Sequence, residues 1–326
     1  MKDEHEDFDR PRRRTRPRTK ERPNYEHLPV GRVRAVDRGR YRVDIDGTSV
    51  TTMKARSLGR QGVVVGDEVR VDGDVTGGDG TLARIAEVLP RATVLRRTAD
   101  DDDPIERIVV ANADQLVVVT ALADPPPRPA LIDRCLVAAY DARMRPVVVL
   151  TKADLASPDE MLGLLEPLDV EVVVTQRDAG VDPVRAVLAG RTSVLVGHSG
   201  VGKSTLVNAL VPDADRAVST VNDVTGRGRH TSTSAIALPL PGGGWIIDTP
   251  GFRSFGLAHV DIDHIVTAFS DVADICTACP RGCTHLATEP ECALDTAVTD
   301  GRITTARVES LRRILDARSK PAYLTE

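Results

Sequence analysis

The sequence predicts a multidomain α/β protein: a small N-terminal β-barrel, a mostly parallel sheet covered by helices, and a short cysteine-rich helical unit at the C-terminus. Three observations carry this reading. Residues 28–95 hold short β-branched stretches broken by the turn signals Asp46-Gly47, Gly66-Asp67 and Gly73-Asp74. From Ile105 onward, strand-like apolar runs alternate with helical periodicity, the pattern of a parallel sheet with helical crossovers. Four of the five cysteines crowd between Cys276 and Cys292.

The 326 residues suffice for two or three domains. Apolar residues make up 41% and charged residues 28%, a soluble and globular balance, whereas aromatic residues are only 3%, so the core must be built from Val, Leu, Ile and Ala. No apolar run approaches the length of a membrane span. The charged first residues do not resemble a secretory signal, so a cytosolic location without membrane attachment is expected. The net charge of −5 hides an asymmetry. Asp3, Glu4, Glu6, Asp7 and Asp9 face Lys2, and then eight Arg or Lys residues between Arg10 and Arg22 face Glu21. A short basic arm therefore precedes an acidic body.

Residues 1–27 lack apolar periodicity and read as a disordered basic arm, suited to nucleic-acid phosphates or to solubility. Residues 28–95 read as a five-stranded barrel of the OB-fold type, with strands expected at 31–36, 41–45, 62–71 and 81–89 among them. Arg32, Arg34, Arg38, Arg40, Arg42, Lys54, Arg56 and Arg60 give it a basic side. Such a face suits RNA, or else it packs on the neighbouring domain. Asp100–Asp103 reads as a solvated linker. Beyond it, 116–120, 147–150 and 170–174 are expected strands and 131–143 a helix, whose Cys135 falls on the apolar face as inert core.

The most informative stretch is TSVLVGHSGVGKSTL, residues 192–206. Val194, Leu195 and Val196 form a buried strand, Gly197, Gly200, Val201, Gly202, Lys203, Ser204 and Thr205 belong to a G-x-x-x-x-G-K-[ST] loop, and Leu206, Val207 and Leu210 open a helix. Glycines let backbone N–H groups curl around a polyphosphate, and the helix N-terminus adds unpaired donors. Lys203 would reach the β- and γ-phosphates, and the Ser204 hydroxyl would hold Mg²⁺. Thr151-Lys152-Ala153-Asp154 follows an apolar strand and resembles the guanine-reading element of GTPases. Its Asp154 carboxylate would accept the paired donors of guanine, which adenine lacks; this disfavours an ATP-using enzyme. Asp248-Thr249-Pro250-Gly251 resembles the D-x-x-G element, with Asp248 toward Mg²⁺ and the Gly251 N–H toward the γ-phosphate. Between them, Gly226–Thr233 is suited to a switch loop. Thr231 and Thr233 are both possible Mg²⁺ ligands there, Thr231 being preferred.

Here the base-reading element precedes the phosphate loop, whereas in ordinary GTPases it comes last. The chain therefore reads as a circularly permuted P-loop GTPase domain over 96–256, since strand neighbours, not chain order, build the site. Phe252 stands where many GTPases have a water-positioning glutamine, and it cannot hydrogen-bond. His230, with an ordinary pKa near the working pH, is the candidate to orient the water. Residues 257–326 form the expected zinc-binding helical domain. Cys276, Cys279, Cys283, His285 and Cys292 offer five donors for a four-coordinate structural Zn²⁺. Cys279, Cys283, His285 and Cys292 are the preferred set, with Cys276 the alternative to Cys279.

The barrel, permuted domain and Cys/His module, in that order, resemble the ribosome small-subunit-dependent GTPase A family. The resemblance covers about residues 28–320. It rests on Ala111–Gln115, Thr151–Asp154, GHSGVGKST, GRGRHTSTS, DTPGFRSFG and Cys283-Thr284-His285. It implies hydrolysis of GTP to GDP, stimulated by the small ribosomal subunit and its rRNA late in subunit maturation, by a protein expected to be monomeric. Thr151 stands where many members have Asn, and Thr175-Gln176 is the best match to the element that backs the guanine. The arginine-rich arm lies outside the resemblance. An RNA-binding assembly factor with negligible turnover is the alternative function.

Overall fold

Strand β1 (Val30–Asp37) alternates inward Val33 and Ala35 with outward arginines, so one face is apolar and must close on something. It closes on a barrel. The computed structural model describes residues 24–59, 62–78, 80–97, 107–211, 235–249, 257 and 260–319. In it, β1 pairs with β2 (Arg40–Ile45), followed by β3 (Thr48–Lys54), β5 (Ala83–Val88) and β4 (Glu68–Asp72), which returns to β1. The β3–β5 pair is parallel and the other four barrel pairs are antiparallel. Val33, Val43, Val50, Val69, Val71 and Ile85 fill the interior without measurable exposure. The hairpin between β2 and β3 turns at Asp46-Gly47, both at positive φ, as a two-residue primed turn requires.

The strand expected over 62–71 is divided. Gly66 takes φ +89° with the Ala111 carbonyl so close that a Cβ would sit 2.0 Å from its oxygen, and β4 starts only at Glu68. Buried Asp67 holds this turn: its carboxylate accepts the Val64 N–H at 2.8 Å and pairs with Arg91 at 2.6 Å. Thr48–Lys54 is a strand of its own. A further two-stranded ribbon, β6 (Val94–Arg97) with β7 (Arg107–Ala111), was not expected from periodicity. The Asp100–Asp103 linker lies outside the described residues.

The central sheet runs β10 (Glu171–Val174), β9 (Arg145–Thr151), β8 (Gln115–Ala121), β11 (Thr192–Val196), β13 (Trp245–Asp248), β12 (Ile236–Pro239). The first five strands are parallel; β12 is antiparallel and joins β1 of the barrel. Every residue of β8 and β11 is buried, as expected for strands covered on both faces. Helices α1 (Pro129–Asp141), α2 (Asp159–Leu165), α3 (Asp182–Leu188) and α4 (Lys203–Leu210) alternate with these strands. Helix α1 begins two residues before the expected 131, because Pro129 starts a helix without losing a needed N–H. Cys135 is 3% exposed on it, and burial pushes its thiol up to about 12, so it is core.

Among the described residues, four helices follow the sheet: α5 (Ile262–Thr267), α6 (Ser270–Cys276), α7 (Ala293–Thr299) and α8 (Thr305–Ser319). Helix α8 buries Val308, Leu311, Ile314 and Leu315 against the rest, each apolar side chain contributing about 1.5–3 kcal/mol. Two ties run from it to α1: Arg313 Nε donates to Asp133 Oδ2 at 2.8 Å and Arg134 Nη1 to the Ala317 carbonyl at 3.0 Å.

Candidate functional site

Parallel strands β9, β8, β11 and β13 end at one edge of the sheet, the edge where open α/β sheets place their ligands. Three of the motifs read from the sequence follow directly from these strand ends. After β11, Gly197 passes so close to β8 that a Cβ would lie 2.4 Å from the Val119 carbonyl oxygen. Gly200 and Gly202 adopt φ of +84° and +88°, accessible to glycine without strain, and α4 starts at Lys203. Val201 anchors the loop in the core at 3% exposure, whereas Ser204 and Thr205 are exposed on the first turn of α4.

After β13, Asp248 presents its carboxylate to the same space, where it forms an ion pair with the Lys203 ammonium. Lys203 also donates to the Thr249 carbonyl at 3.3 Å, while the Thr249 hydroxyl is fastened to the Leu195 carbonyl at 2.7 Å. The phosphate loop and the start of the D-x-x-G element are thus locked to adjacent strands.

After β9, the Thr151 hydroxyl donates to the Val201 carbonyl at 2.6 Å and ties the base-reading segment to the phosphate loop. Lys152, at φ +60°, directs its ammonium onto the Asp124 carbonyl. A pocket of about 300 Å³ opens here. It is walled by Asp124, Thr151, Lys152 and Asp154 on one side, Gly202, Thr205 and Leu206 on another, and Thr175 and Gln176 on a third. Thr175 is hydrogen-bonded to both neighbours: its N–H donates to Leu150 at 2.8 Å and its carbonyl accepts Ala153 N–H at 3.3 Å. Thr175-Gln176, the weakest of the sequence matches, therefore stands in the pocket wall. Asp154 is exposed at that wall, a pair of carboxylate acceptors beside an apolar floor. Sequence reading missed Asp124, which lies three positions past the end of β8 and is identified by its contact with Lys152. A larger groove of about 1150 Å³, bordered by Tyr140, Glu166, Phe269 and Arg307, carries none of the phosphate-binding features. His230, Thr231, Thr233, Gly251 and Phe252 lie outside the described residues.

The second constellation lies between α6 and α7. Cys279, Cys283, His285 and Cys292 each offer one donor atom, and the four atoms lie within 4.8 Å of one another. From His285 Nδ1 the sulfurs of Cys279, Cys283 and Cys292 are 3.6, 3.5 and 3.9 Å away. A tetrahedral ion at ~2.3 Å from sulfur and ~2.0 Å from nitrogen sets ligand atoms roughly 3.5–3.8 Å apart, so the set fits zinc. His285 is 7% exposed and sits at φ +59°, a costly conformation for a non-glycine residue. Burial holds its imidazole below the usual range, and burial with neighbouring sulfurs pushes the Cys283 thiol up to about 11. A neutral imidazole among crowded sulfurs is a donor set for a thiophilic divalent cation, whose charge would offset the thiolates. Arg312 supports the centre from α8, donating to the His285 carbonyl at 3.1 Å.

The barrel arginines divide into two groups. Arg32 donates to Thr192 Oγ1 at 2.8 Å and Arg34 to the Ala237 carbonyl at 3.3 Å; their guanidinium carbons stand 6.0 and 5.6 Å from the centre of the Trp245 ring. These two join the barrel to the central sheet. Arg38, Arg40 and Arg56 are exposed, Arg42 is half-buried, and Arg60 lies outside the described residues. The Ala111–Gln115 motif also has a joining role: Asn112 donates to Gly66 at 3.1 Å, and the Asp114 carboxylate accepts Thr192 N–H at 2.6 Å.

Comparison with known proteins is consistent with this geometry. A family model described as RsgA GTPase matches residues 88–258. Proteins named small ribosomal subunit biogenesis GTPase RsgA, from Ectopseudomonas mendocina and Pseudomonas aeruginosa, are 42% and 40% identical over 256 and 255 residues. Those alignments cover 76% of this chain and 72% and 74% of the relatives. The crystal structure of YjeQ from Thermotoga maritima matches with a TM-score of 0.65 at 26% identity, over 89% of this chain and 98% of that one. YloQ, described as a circularly permuted GTPase, shares the fold with a TM-score of 0.65 at 23% identity, over 92% and 98% of the two chains.

Proposed function

Because the chain belongs to the RsgA GTPase family, we propose that it hydrolyses GTP to GDP and phosphate when docked on the small ribosomal subunit, during late maturation of that particle. The supporting observation is the convergence of Thr151–Asp154, Gly197–Thr205 and Asp248 at the ends of neighbouring parallel strands, the first two sharing one pocket and Asp248 paired with Lys203. Asp154 accepts the two guanine donors, and the Lys152 stem flanks the ring. Backbone N–H groups of Gly200–Ser204 and the Lys203 ammonium cradle the phosphates. Ser204, Thr231 and Asp248 are the residues that would hold Mg²⁺, directly or through water; when bound, it would neutralise charge between the β- and γ-phosphates. The Gly251 N–H meets the γ-phosphate, and the His230 imidazole accepts a hydrogen bond from the attacking water.

Residues 1–27 act as a basic arm, 28–95 as the ribosome- and rRNA-facing barrel, 96–256 as the GTPase domain, and 257–326 as the zinc-bearing domain, in a monomeric, cytoplasmic protein. No helix among the described residues is long and apolar enough to cross a membrane. Cys279, Cys283, His285 and Cys292 hold one structural Zn²⁺. Phosphate release from GTP, measured with and without purified small subunits and in competition with ATP, tests the reading. A slow basal rate raised by subunits and insensitive to ATP is expected. Equal rates with and without subunits would favour a binding factor whose nucleotide only sets conformation.

A further inference from the structure

The Cys/His centre has one sulfur more than a tetrahedral ion needs. Cys276 stands outside the mutually close set of Cys279, Cys283, His285 and Cys292, yet its Sγ is 3.6 Å from His285 Nδ1. We propose that Cys276 is a peroxide-reactive thiol that captures the Cys279 sulfur in a disulfide and so releases the metal. The proposal rests on the zinc reading above and adds a modification site to it.

Sequence and structure support it separately. Cys276-Thr277-Ala278-Cys279 is a C-x-x-C pair, the spacing used by dithiol redox sites. In the fold, Cys276 ends α6 and the Cys279 N–H donates to the Cys276 carbonyl at 3.0 Å, closing a tight turn. Such a turn keeps the Cα atoms of its first and fourth residues under about 7 Å apart, within disulfide reach. The Cys276 and Cys279 sulfurs each lie 3.6 Å from the same atom, His285 Nδ1. Cys276 is half-buried, as are Cys279 and Cys283, whereas Cys292 is 2% and His285 7% exposed, so solvent oxidant reaches Cys276, the one sulfur of the cluster outside the metal set. Cys135, enclosed in the α1 core, is no competitor.

The chemistry balances with one hydroperoxide. The Cys276 thiol attacks the peroxide, the O–O bond breaks, and Cys276 becomes a sulfenic acid while the peroxide leaves as an alcohol, or as water from hydrogen peroxide. The Cys279 sulfur, leaving the metal, attacks the sulfenic sulfur; the S–S bond forms and hydroxide departs, taking a proton to become water. Two sulfurs have each lost one electron and the peroxide has gained two. The ion keeps three donors. Cys279 Sγ also accepts the Ala293 N–H at 3.4 Å, so turning it toward Cys276 frees the first turn of α7 as well.

The experiment uses the full chain, purified reduced, with zinc counted by elemental analysis. Hydrogen peroxide is added, zinc release is followed with a chromogenic chelator, and disulfides are located by peptide mass mapping. The wild type is expected to hold one zinc, to release it with a Cys276–Cys279 disulfide, and to take it back after reduction. Cys276→Ser and, as a second variant, Cys276→Ala should hold the same zinc and release it at least about tenfold more slowly, since the attacking thiol is gone. Release at the wild-type rate from both variants, or a wild-type disulfide without Cys276, overturns the proposal. So does loss of zinc from the untreated variants, which would make Cys276 a ligand. A wild type without zinc fails the zinc reading itself.

Discussion

Lys203, at the start of α4, forms an ion pair with Asp248 at the end of β13 and donates to the Thr249 carbonyl. Lys203→Ala therefore removes the charge that the phosphates meet, and hydrolysis should fall at least about a hundredfold with weaker GTP binding, read by phosphate release and by a fluorescent nucleotide. Asp154 stands in the pocket wall, where the proposed reading puts the base. Asp154→Asn exchanges an acceptor pair for one acceptor and one donor, so GTP affinity should drop by about 2–3 kcal/mol while xanthosine triphosphate gains. Unchanged GTP affinity would put base recognition elsewhere. His230→Ala should keep GTP and subunit binding but lose about 10²–10⁴-fold of the subunit-stimulated rate. If that rate survives, the water is oriented by another group. The motifs around Lys203 and Asp154 were legible in the sequence because each packs its chemistry into a few consecutive residues after a strand. Asp124 was not, since only its place beside Lys152 in the fold shows what it does.

Among elements, the attachment of α8 to α1 is the junction most exposed to a single change. Asp133 is 3% exposed, its Oδ2 accepts Arg313, and its Oδ1 has no hydrogen-bond partner among the described residues. Burial raises the Asp133 pKa while Arg313 opposes the rise. Arg313→Ala leaves a buried carboxylate unpaired and should cost about 3–5 kcal/mol. The sign of its pH dependence follows from the raised pKa. Between the unfolded value near 3.9 and the higher folded value, the native state binds more protons than the unfolded one, so stability falls as pH rises through that window. The variant, with its cation gone, should therefore regain stability relative to wild type as the pH is lowered toward about 4. Thermal melts of both proteins from neutral pH downward check this; parallel curves would mean that Asp133 stays neutral in both. Ile303, Val308, Leu311, Ile314 and Leu315 recur at helical spacing in the sequence, but the partner of α8 is not legible there, because periodicity names a buried face without naming what covers it.

At the scale of the whole molecule, the barrel and the central sheet are one continuous strand array, joined where Ala35 pairs with Ile236 and where Arg32 and Arg34 flank Trp245. β12 follows the segment read as the switch loop and β13 carries Asp248, so the strands that the proposed function turns toward the nucleotide are also those that touch the barrel. The basic arm, by comparison, is defined by composition alone. Removing residues 1–27 should lower affinity for small subunits and flatten its salt dependence by about 0.7–0.9 in logarithmic slope for each phosphate that the arm no longer neutralises. Binding measured across a salt series checks this, and an unchanged slope would leave the arm a solubilising tail.

The sequence by itself determined the phosphate loop, the base-reading and D-x-x-G elements, their permuted order and the Cys/His cluster. In each, the chemistry depends on residues a few positions apart, whose backbone path follows from glycine, strand and helix signals. Tertiary structure alone decided which arginines of the barrel serve as joints and where the last helix is held. Arg32 meets Thr192 across 160 positions, Arg34 meets Ala237 across 203, and Arg313 meets Asp133 across 180. No local pattern encodes such pairs, because what selects them is the complementarity of surfaces that exist only once the barrel, sheet and helices have packed.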